Sequence, residues 1–292
     1  MNQLNKESKM KVTNTEGLPE ILVKMVSNQR KPKVDSISCT ELIDSPAIHH
    51  MKLEHWDDLE VDASDLIAAG LGTAFHHYIE TFANPTNSEV ALDGMFGNFK
   101  ITGTADYIED GVITDWKTTR VWSVTMSDKW IKKVEEQLNV YCWMARQQGD
   151  EIKLLQALVV HPDWKRSEMM RSDNYPRKNW QMYKFNPWPT AKIEQFIANR
   201  IALFLDKSYQ CSDDERWASP TTWAVMKEGR KSAVRVLPTH LEALSFSAPL
   251  DNKHTIVMRP GEHKRCEEYC SVRAVCPFKV VRENVGEEYV GV

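Results

Sequence analysis

The feature that most constrains the fold is a hairpin pattern between residues 100 and 117. Lys100 to Ile108 and Val112 to Lys117 alternate apolar and polar residues in the manner of β-strands. Between them stands Asp110-Gly111, a dipeptide that favours a two-residue turn joining antiparallel strands. The sequence therefore predicts a hairpin whose strand register is set by its turn.

The register of this hairpin brings three charged side chains together. With a two-residue turn, Ile108 faces Ile113 and, two pairs further from the turn, Asp106 faces Asp115. Directly opposed side chains have Cβ atoms roughly 4.5 to 5.5 Å apart, and the period of two puts Lys117 on the face of Asp115. We therefore expect two carboxylates and a lysine on one face.

Such a group of charges is suited to a divalent cation. Like charges directly opposite each other destabilise a sheet, whereas a cation between them reverses the sign of the interaction. Carboxylate oxygens are the ligands that Mg²⁺ and Mn²⁺ prefer. The cation would hold a phosphate and acidify a water, and Lys117 would orient that water or stabilise developing negative charge. The alternative is a surface hairpin whose charges are merely solvated.

A helix predicted upstream of the hairpin carries a further candidate ligand. Ser64 is a candidate N-cap for a helix that runs to about Phe82, because apolar residues recur there at helical spacing. His76 on this helix could complete the metal site with a neutral imidazole. Glu80, one turn away, is a second-line ligand candidate, and His77 is expected to face solvent. A half-buried histidine with only a packing role is the alternative for His76.

A second helix, predicted from Ser127 to Gln148, follows the hairpin. Gln137 and Tyr141 lie four residues apart on it and therefore share one face, where their polar ends could meet a phosphate. Ordinary surface neighbours are the alternative. An apolar strand at 153–161, a weak strand at 180–185 and a helix at 190–205 complete an α/β pattern.

The chain divides into three parts by composition and pattern. Residues 1–34 form a polar lead-in that we expect to be loosely ordered, and residues 35–207 contain the α/β core. Residues 208–292 form a C-terminal extension that carries a cysteine cluster and is expected to pack on the core. Residues 38–56 within the core predict two short helices broken at Ser45-Pro46.

Taken in order, the segments GTAFH, GTAD, DWKTT and QLNVY resemble the RecB-like branch of the PD-(D/E)XK nuclease superfamily over about residues 36–160. The resemblance implies a restriction-endonuclease-like α/β core with a mixed central sheet flanked by helices. It implies a site in which three residues bind metal, a lysine is catalytic and two helix residues support it: His76, Asp106, Asp115, Lys117, Gln137 and Tyr141. The segments SISCTELIDSP and DDERW with AVMKEGRKSAVRV are similar to phage-encoded exonucleases of this branch.

The C-terminal extension contains a second candidate metal site. Cys266, Cys270 and Cys276 form a C-x3-C-x5-C array, and three neighbouring thiolates suit an iron–sulfur cluster or zinc. We favour Cys211 as the fourth ligand, because the phage-like resemblance runs through its segment. Cys39 is the alternative, and His263 is the alternative for zinc.

Some RecB-like nucleases carry an iron–sulfur cluster held by three C-terminal cysteines and one far upstream. The resemblance therefore implies a [4Fe-4S] cluster or Zn²⁺ here, although the spacing of the first two cysteines departs from the usual pattern. The usual upstream position also holds Ser45. The role of this site would be structural, since a bound metal or cluster would hold the C-terminus against the core. Three unligated thiols are the alternative.

Basic residues occur in local patches, although the net charge of the chain is −4. Beside a metal site such patches are candidates for sequence-independent phosphate contacts. The nucleic-acid contacts predicted from two of these patches are Lys129, Lys133, Arg230 and Lys231. Solvated faces are the alternative for each patch.

These observations predict a Mg²⁺- or Mn²⁺-dependent DNA exonuclease that acts on single strands or duplex ends in recombination or end processing, with a recombination protein as a candidate partner. One alternative is a catalytically inactive nuclease fold that binds DNA or a partner. Another is a structure-specific endonuclease or an RNA nuclease.

A polar N-terminus and the lack of an apolar run of roughly 18 residues predict a cytoplasmic protein, in the host cytoplasm if phage-encoded, with no membrane association. The oligomeric state stays open.

Overall fold

The predicted hairpin forms the centre of a mixed sheet in the first of two compact units. The computed structural model describes residues 10–125 and 128–278. The chain divides between Tyr209 and Gln210, where a boundary between 207 and 208 was expected. Residues 1–9 of the lead-in and 279–292 of the extension lie outside the described residues.

The first unit contains the following elements in chain order: β1 (Lys11–Thr13), α1 (Glu20–Val26), β2 (Ser36–Ser38), α2 (Cys39–Leu42), α3 (Pro46–His55), β3 (Glu60–Asp62), α4 (Ala63–Glu80), β4 (Ser88–Phe96), β5 (Phe99–Glu109), β6 (Val112–Thr118), α5 (Val121–Thr125), α6 (Lys129–Gln147), β7 (Leu154–Val160), α7 (Arg166–Met169), β8 (Trp180–Phe185) and α8 (Thr190–Leu205). The second unit contains four more: β9 (Thr222–Lys227), β10 (Arg235–Leu237), α9 (His240–Ser247) and β11 (His254–Arg259).

The main sheet has the strand order β2-β5-β6-β7-β8, with β4 paired to β5 as well. The pairs β5–β6 and β7–β8 are antiparallel, whereas β6–β7 and β2–β5 are parallel. Helix α6 packs on β4 to β7, α4 contacts β6, and α8 packs on α6. The first unit is thus a mixed central sheet flanked by helices, as predicted.

Strand β5 is shared by three neighbours, and this creates a fork in the sheet. β4 pairs along one edge of β5 from Phe99 to Tyr107. On the other edge, β2 pairs with Lys100–Thr102 and β6 pairs with Tyr107–Glu109. Neither β2 nor β6 pairs with the intervening residues Gly103–Asp106. A four-residue stretch of β5 is therefore left open between two diverging strands.

The turn of the hairpin has the predicted geometry. Asp110 and Gly111 have φ angles of +49° and +79°, and two positive φ values define the type I′ turn that suits a two-residue hairpin. Gly111 is required here, since a Cβ at this position would lie 2.6 Å from the carbonyl oxygen of Glu151.

The predicted register is confirmed for the three pairs nearest the turn, Tyr107–Thr114, Ile108–Ile113 and Glu109–Val112. The prediction that pairing continues to Asp106 and Asp115 is wrong. Instead, the carboxylate of Asp106 accepts a hydrogen bond of 2.7 Å from the backbone N–H of Trp116. A side chain thus replaces the backbone acceptor that would have continued the ladder, and the strands part at this point.

Helix α6 lies unusually close to the sheet because two glycines face it. A Cβ on Gly103 would lie 2.7 Å from the ring of Tyr141, and one on Gly94 would lie 2.7 Å from the ring of Trp143. Either contact is too short for a real side chain, so only glycine permits this approach. The close packing fixes Tyr141 against the open stretch of β5. Ser127, the predicted start of this helix, lies outside the described residues.

Other predicted elements differ in detail. α2 and α3 are separate helices interrupted at Ser45-Pro46, as expected. The N-cap of α4 is Asp62 rather than Ser64, and its carboxylate accepts the Ser64 N–H at 3.0 Å. Within the lead-in, β1 pairs in parallel with β3, and α1 packs on α4. No described helix is both long and apolar enough to cross a bilayer.

The second unit has its own small core. β10, β9 and β11 form an antiparallel sheet in that order, and α9 packs on it. Val225, Ala243 and Ile256 are buried between the sheet and the helix. The cysteine-bearing segment follows β11 and includes a short π-helical turn at Arg265–Tyr269.

Candidate active site

Asp106 stands at the fork, where it contacts two different elements. One carboxylate oxygen accepts the Trp116 N–H, and the other lies 3.4 Å from Nδ1 of His76 on α4. His76 is half-buried, and its pKa is raised chiefly by the hydrogen bond to Asp106. The structure therefore brings together two of the three predicted metal ligands.

Glu89 is a third member of this group that the sequence did not predict. It follows Ser88, which pairs with Tyr107, and precedes Val90, which pairs with Ala105, so it stands beside Asp106. Its φ of +49° is unusual for a residue other than glycine and coincides with the break in the β4–β5 ladder. Its pKa is raised, first by loss of solvation and then by repulsion from Asp106.

Among the described residues, His76, Glu89 and Asp106 form the only group in which three potential metal ligands come close together. One ligand atom from each lies within 4.8 Å of the other two. One imidazole and two carboxylates form a donor set that suits Mn²⁺ or Mg²⁺. We refer to these three residues as the His76 cluster.

The buried Asp115 and the partly exposed Lys117 form an ion pair next to this cluster. The Lys117 Nζ lies 2.9 Å from Oδ1 of Asp115, whose side chain is only 2% exposed. Burial raises the pKa of Asp115 to about 6, opposed by Lys117 and reinforced by Asp106. For Lys117, burial would lower the pKa, but attraction to Asp115 outweighs it and the pKa is raised.

The second carboxylate oxygen of Asp115 supports the presence of a cation. Oδ2 is buried and has no hydrogen-bond partner among the described residues. Leaving a charged oxygen desolvated and unpaired is costly, and a bound cation would remove that cost. The residues therefore fit a divalent metal, although Asp115 is not a member of the His76 cluster itself.

Gln137 and Tyr141 meet beside the open stretch of β5, as their spacing on one helix face predicted. The amide Nε2 of Gln137 donates to the Tyr141 hydroxyl oxygen at 2.8 Å, and both side chains are buried. Burial raises the pKa of Tyr141, with the thiol of Cys39 adding to the effect. Tyr141 consequently remains a neutral hydroxyl, able to donate its own proton to an acceptor.

Two further residues of α4 and one cysteine of the first unit have other partners. His77 is exposed, as expected, and its Nδ1 lies 3.0 Å from Oε2 of Glu80. Glu80 is therefore engaged outside the His76 cluster. Cys39 is 1% exposed within the main core, where its thiol contacts the Gln137 carbonyl oxygen at 3.6 Å.

The four remaining candidate cysteines, Cys211, Cys266, Cys270 and Cys276, lie in the second unit, and the other three affect Cys266. The pKa of Cys266 is raised by burial first, and then by repulsion from Cys270, Cys211 and Cys276. Within the described residues, these cysteines are not part of the one group of close potential metal ligands, the His76 cluster.

The predicted nucleic-acid contacts are distributed over both units. Lys129 begins α6, and Lys133 on the same helix lies 3.4 Å from Oδ1 of Asp44. Arg230 and Lys231 are exposed in the turn that follows β9. The zinc alternative His263 packs edge-on against the ring of Phe278.

The chain was compared with known families and solved structures. A model of the PD-(D/E)XK nuclease superfamily matches residues 50–277. One similar solved structure is that of SSO0001, with 21% identity, a TM-score of 0.46, and coverage of 68% of this chain and 90% of that chain.

Another is an alkaline exonuclease, LHK-Exo, from Laribacter hongkongensis, with 9% identity and a TM-score of 0.35. It covers 64% of this chain and 93% of that chain. No curated protein matches the chain significantly by sequence.

Proposed function

We propose that this protein, which belongs to the PD-(D/E)XK nuclease superfamily, is a Mg²⁺- or Mn²⁺-dependent exonuclease of the RecB-like branch that hydrolyses DNA. The observation that carries the proposal is the placement of the His76 cluster beside the Asp115–Lys117 pair at the fork. Potential metal ligands and a fixed ammonium group thus lie together next to the part of β5 that lacks a strand partner on one edge.

Each residue has a role that follows from its surroundings. His76, Glu89, Asp106 and the unpartnered oxygen of Asp115 would hold the cation, which when bound supplies Lewis acidity and lowers the pKa of a water. Asp115 fixes the ammonium of Lys117, which would stabilise the negative charge that develops on the phosphate.

Gln137 and Tyr141 would assist from the side of α6. Because the Gln137 amide already donates to the Tyr141 oxygen, the tyrosine proton is directed away from Gln137 and is available to a phosphate oxygen. Both side chains are buried, so their orientation is set before a substrate arrives.

A role in recombination or DNA-end processing, and a phage origin, rest on the similarity to phage-encoded exonucleases described above. The same proposal includes DNA as the partner, in the form of single strands or duplex ends, and a cytoplasmic location. Arg230 and Lys231, exposed in the second unit, are proposed as phosphate contacts.

The proposed function predicts that end-labelled linear DNA is shortened in the presence of Mg²⁺ or Mn²⁺ and is left intact in EDTA. A covalently closed circle of the same sequence should survive, since an exonuclease requires an end. Cleavage of the circle would show an endonuclease instead, and preferential cleavage of the matching RNA would show a ribonuclease. If no substrate is cut with either metal, the protein is a nuclease fold retained for binding.

We also propose that Cys211, Cys266, Cys270 and Cys276 hold a [4Fe-4S] cluster. The proposal is supported by the resemblance to nucleases that carry such a cluster, and by the pKa of Cys266, which the other three thiols all raise. Anaerobically purified protein should be brown, contain about four irons per chain and lose its visible absorbance in a Cys270→Ser variant. The matched control is Cys142→Ser, a change at a thiol buried in the first unit. A colourless protein with stoichiometric zinc would contradict the proposal.

A further inference from the structure

A cavity of about 650 Å³ opens in the first unit, and four basic residues contribute to its wall. Arg30, Lys31 and Lys33 come from the segment between α1 and β2, and Lys52 comes from α3. We call this space the basic cavity. None of these residues belongs to the nucleic-acid contacts predicted from the sequence.

The basic cavity adjoins the candidate active site. Gly103 and Thr104, in the open stretch of β5, form part of its wall, as does Tyr141. Thr104 is two residues from Asp106 along the strand. Arg30, at another part of the wall, is close enough to Glu89 to lower its pKa. The cavity therefore extends from the fork of the sheet toward the lead-in segment.

The positive charge of the cavity wall is not balanced by its acids. Glu41 already accepts from Ser38 and contacts His49 at 3.1 Å, and Asp44 contacts Lys133 at 3.4 Å. By contrast, no ion pair joins any of the four basic residues to another residue in the described part of the chain. Like charges gathered in a confined space repel one another, and a bound polyanion would offset that repulsion.

The segment that carries three of these charges is held in place. Pro32 is buried, while Arg30, Lys31 and Lys33 on either side of it are exposed. Proline restricts the backbone at this point, so the flanking lysines project from a fixed path rather than from a free tail. Parallel pairing of β2 with β5 then fixes the end of the segment beside the fork.

The polar groups of the cavity favour recognition of a backbone over recognition of bases. Its two aromatic wall residues, His49 and Tyr141, are both buried, and base stacking requires an exposed ring face. Ammonium, guanidinium and hydroxyl groups instead suit phosphate and sugar oxygens. A cavity of this volume is of the size of a small-ligand pocket, so it admits an unpaired strand and not a duplex.

We propose that the basic cavity binds the sugar–phosphate backbone of a single strand, immediately next to the phosphate that is cut. This inference rests on the proposed function, because it takes the fork as the position of the scissile phosphate. It assigns a substrate path that leads from the fork past Thr104 to Lys31 and Lys33.

The test is the salt dependence of binding to a fluorescein-labelled single-stranded oligonucleotide. Anisotropy is measured between 50 and 200 mM NaCl with Ca²⁺ in place of Mg²⁺, to limit cleavage. Each lost phosphate contact should reduce the slope of log K against log salt concentration by about 0.7, so Lys31→Ala/Lys33→Ala should reduce it by about 1.4. Lys52→Ala, on a different element, should reduce it by about 0.7.

The matched control is Lys153→Ala/Lys184→Ala, which removes two exposed lysines near β7 and β8, at the other end of the sheet. This double variant should show the same slope of log K against log salt concentration as the parent. Thermal melting of every variant establishes that the fold is retained.

If the Lys31/Lys33 and Lys52 variants keep the parental slope while the parent still cleaves DNA, the cavity is not the strand path and the proposed function stands. If the slopes fall as expected but the parent cleaves no substrate, the cavity assignment holds and the proposed nuclease activity fails. Equal reductions in the Lys153/Lys184 control would also overturn the assignment, since the effect would then be one of overall charge.

Discussion

A Lys117→Met variant is expected to cleave DNA about 10²- to 10³-fold more slowly than the parent, a loss of the size seen when one pre-organised transition-state donor is removed. The ammonium of Lys117 is held 2.9 Å from Asp115, so it is already positioned when a phosphate arrives. Methionine keeps much of the length and the packing of the side chain while removing its charge. The measurement is the single-turnover cleavage rate at saturating metal.

The control for this variant is Lys100→Met, also on a strand of the hairpin. Lys100 is exposed and pairs with Asp93 at 3.1 Å, so its loss should leave the rate unchanged. Because Asp115 is buried, removing Lys117 leaves a buried carboxylate without its partner, which destabilises the fold. The cleavage rates are therefore corrected for the fraction of folded protein, which thermal melts provide. Equal rates in the two variants, after that correction, would exclude Lys117 from catalysis.

The second large effect is expected at the His76 cluster. An Asp106→Asn variant should lose detectable cleavage, since Asp106 contacts both His76 and the backbone of β6.

Glu89→Gln should weaken Mn²⁺ binding by about 10-fold or more, the order of loss that changes around a metal site produce. Calorimetric titration of Mn²⁺ into the DNA-free protein measures this directly, without reference to activity.

Glu109→Gln provides the matched control for the cluster. Glu109 is an exposed carboxylate at the turn end of the same hairpin and bonds to Asn87. Its amide variant should bind Mn²⁺ as the parent does. If Glu89→Gln also binds like the parent, Glu89 is not a ligand, and the three ligands expected from the sequence, His76, Asp106 and Asp115, remain.

The local part of the site could be predicted from the sequence because the turn determines it. Asp110-Gly111 requires positive φ angles and a two-residue connection, and these fix the three adjacent pairs. The spacing of Gln137 and Tyr141 likewise determines that they meet on one helix face. In both cases the partners are separated by only a few residues.

The rest of the site depends on pairings between distant segments. Glu89 lies next to Asp106 only because of the register in which β4 pairs with β5. Its backbone is left-handed, a conformation that a glycine or asparagine in the sequence would have suggested but a glutamate does not. The basic cavity needs β2 to pair in parallel with β5, about sixty residues further along the chain. Registers of this kind are set by the packing of the whole sheet, so no local motif predicts them.

The fork in the sheet also has a consequence for solubility. An exposed run of unpaired backbone amides and carbonyls on a strand is a template for pairing with another chain, and therefore an aggregation hazard. Residues 103–106 of β5 lack a strand partner on one edge, but they are only four residues long, lie between the residues that pair with β2 and β6, and include the fully buried Ala105. A foreign strand therefore finds too short a stretch to pair along. The chain can therefore keep an edge of its sheet open at the candidate active site without inviting self-association there.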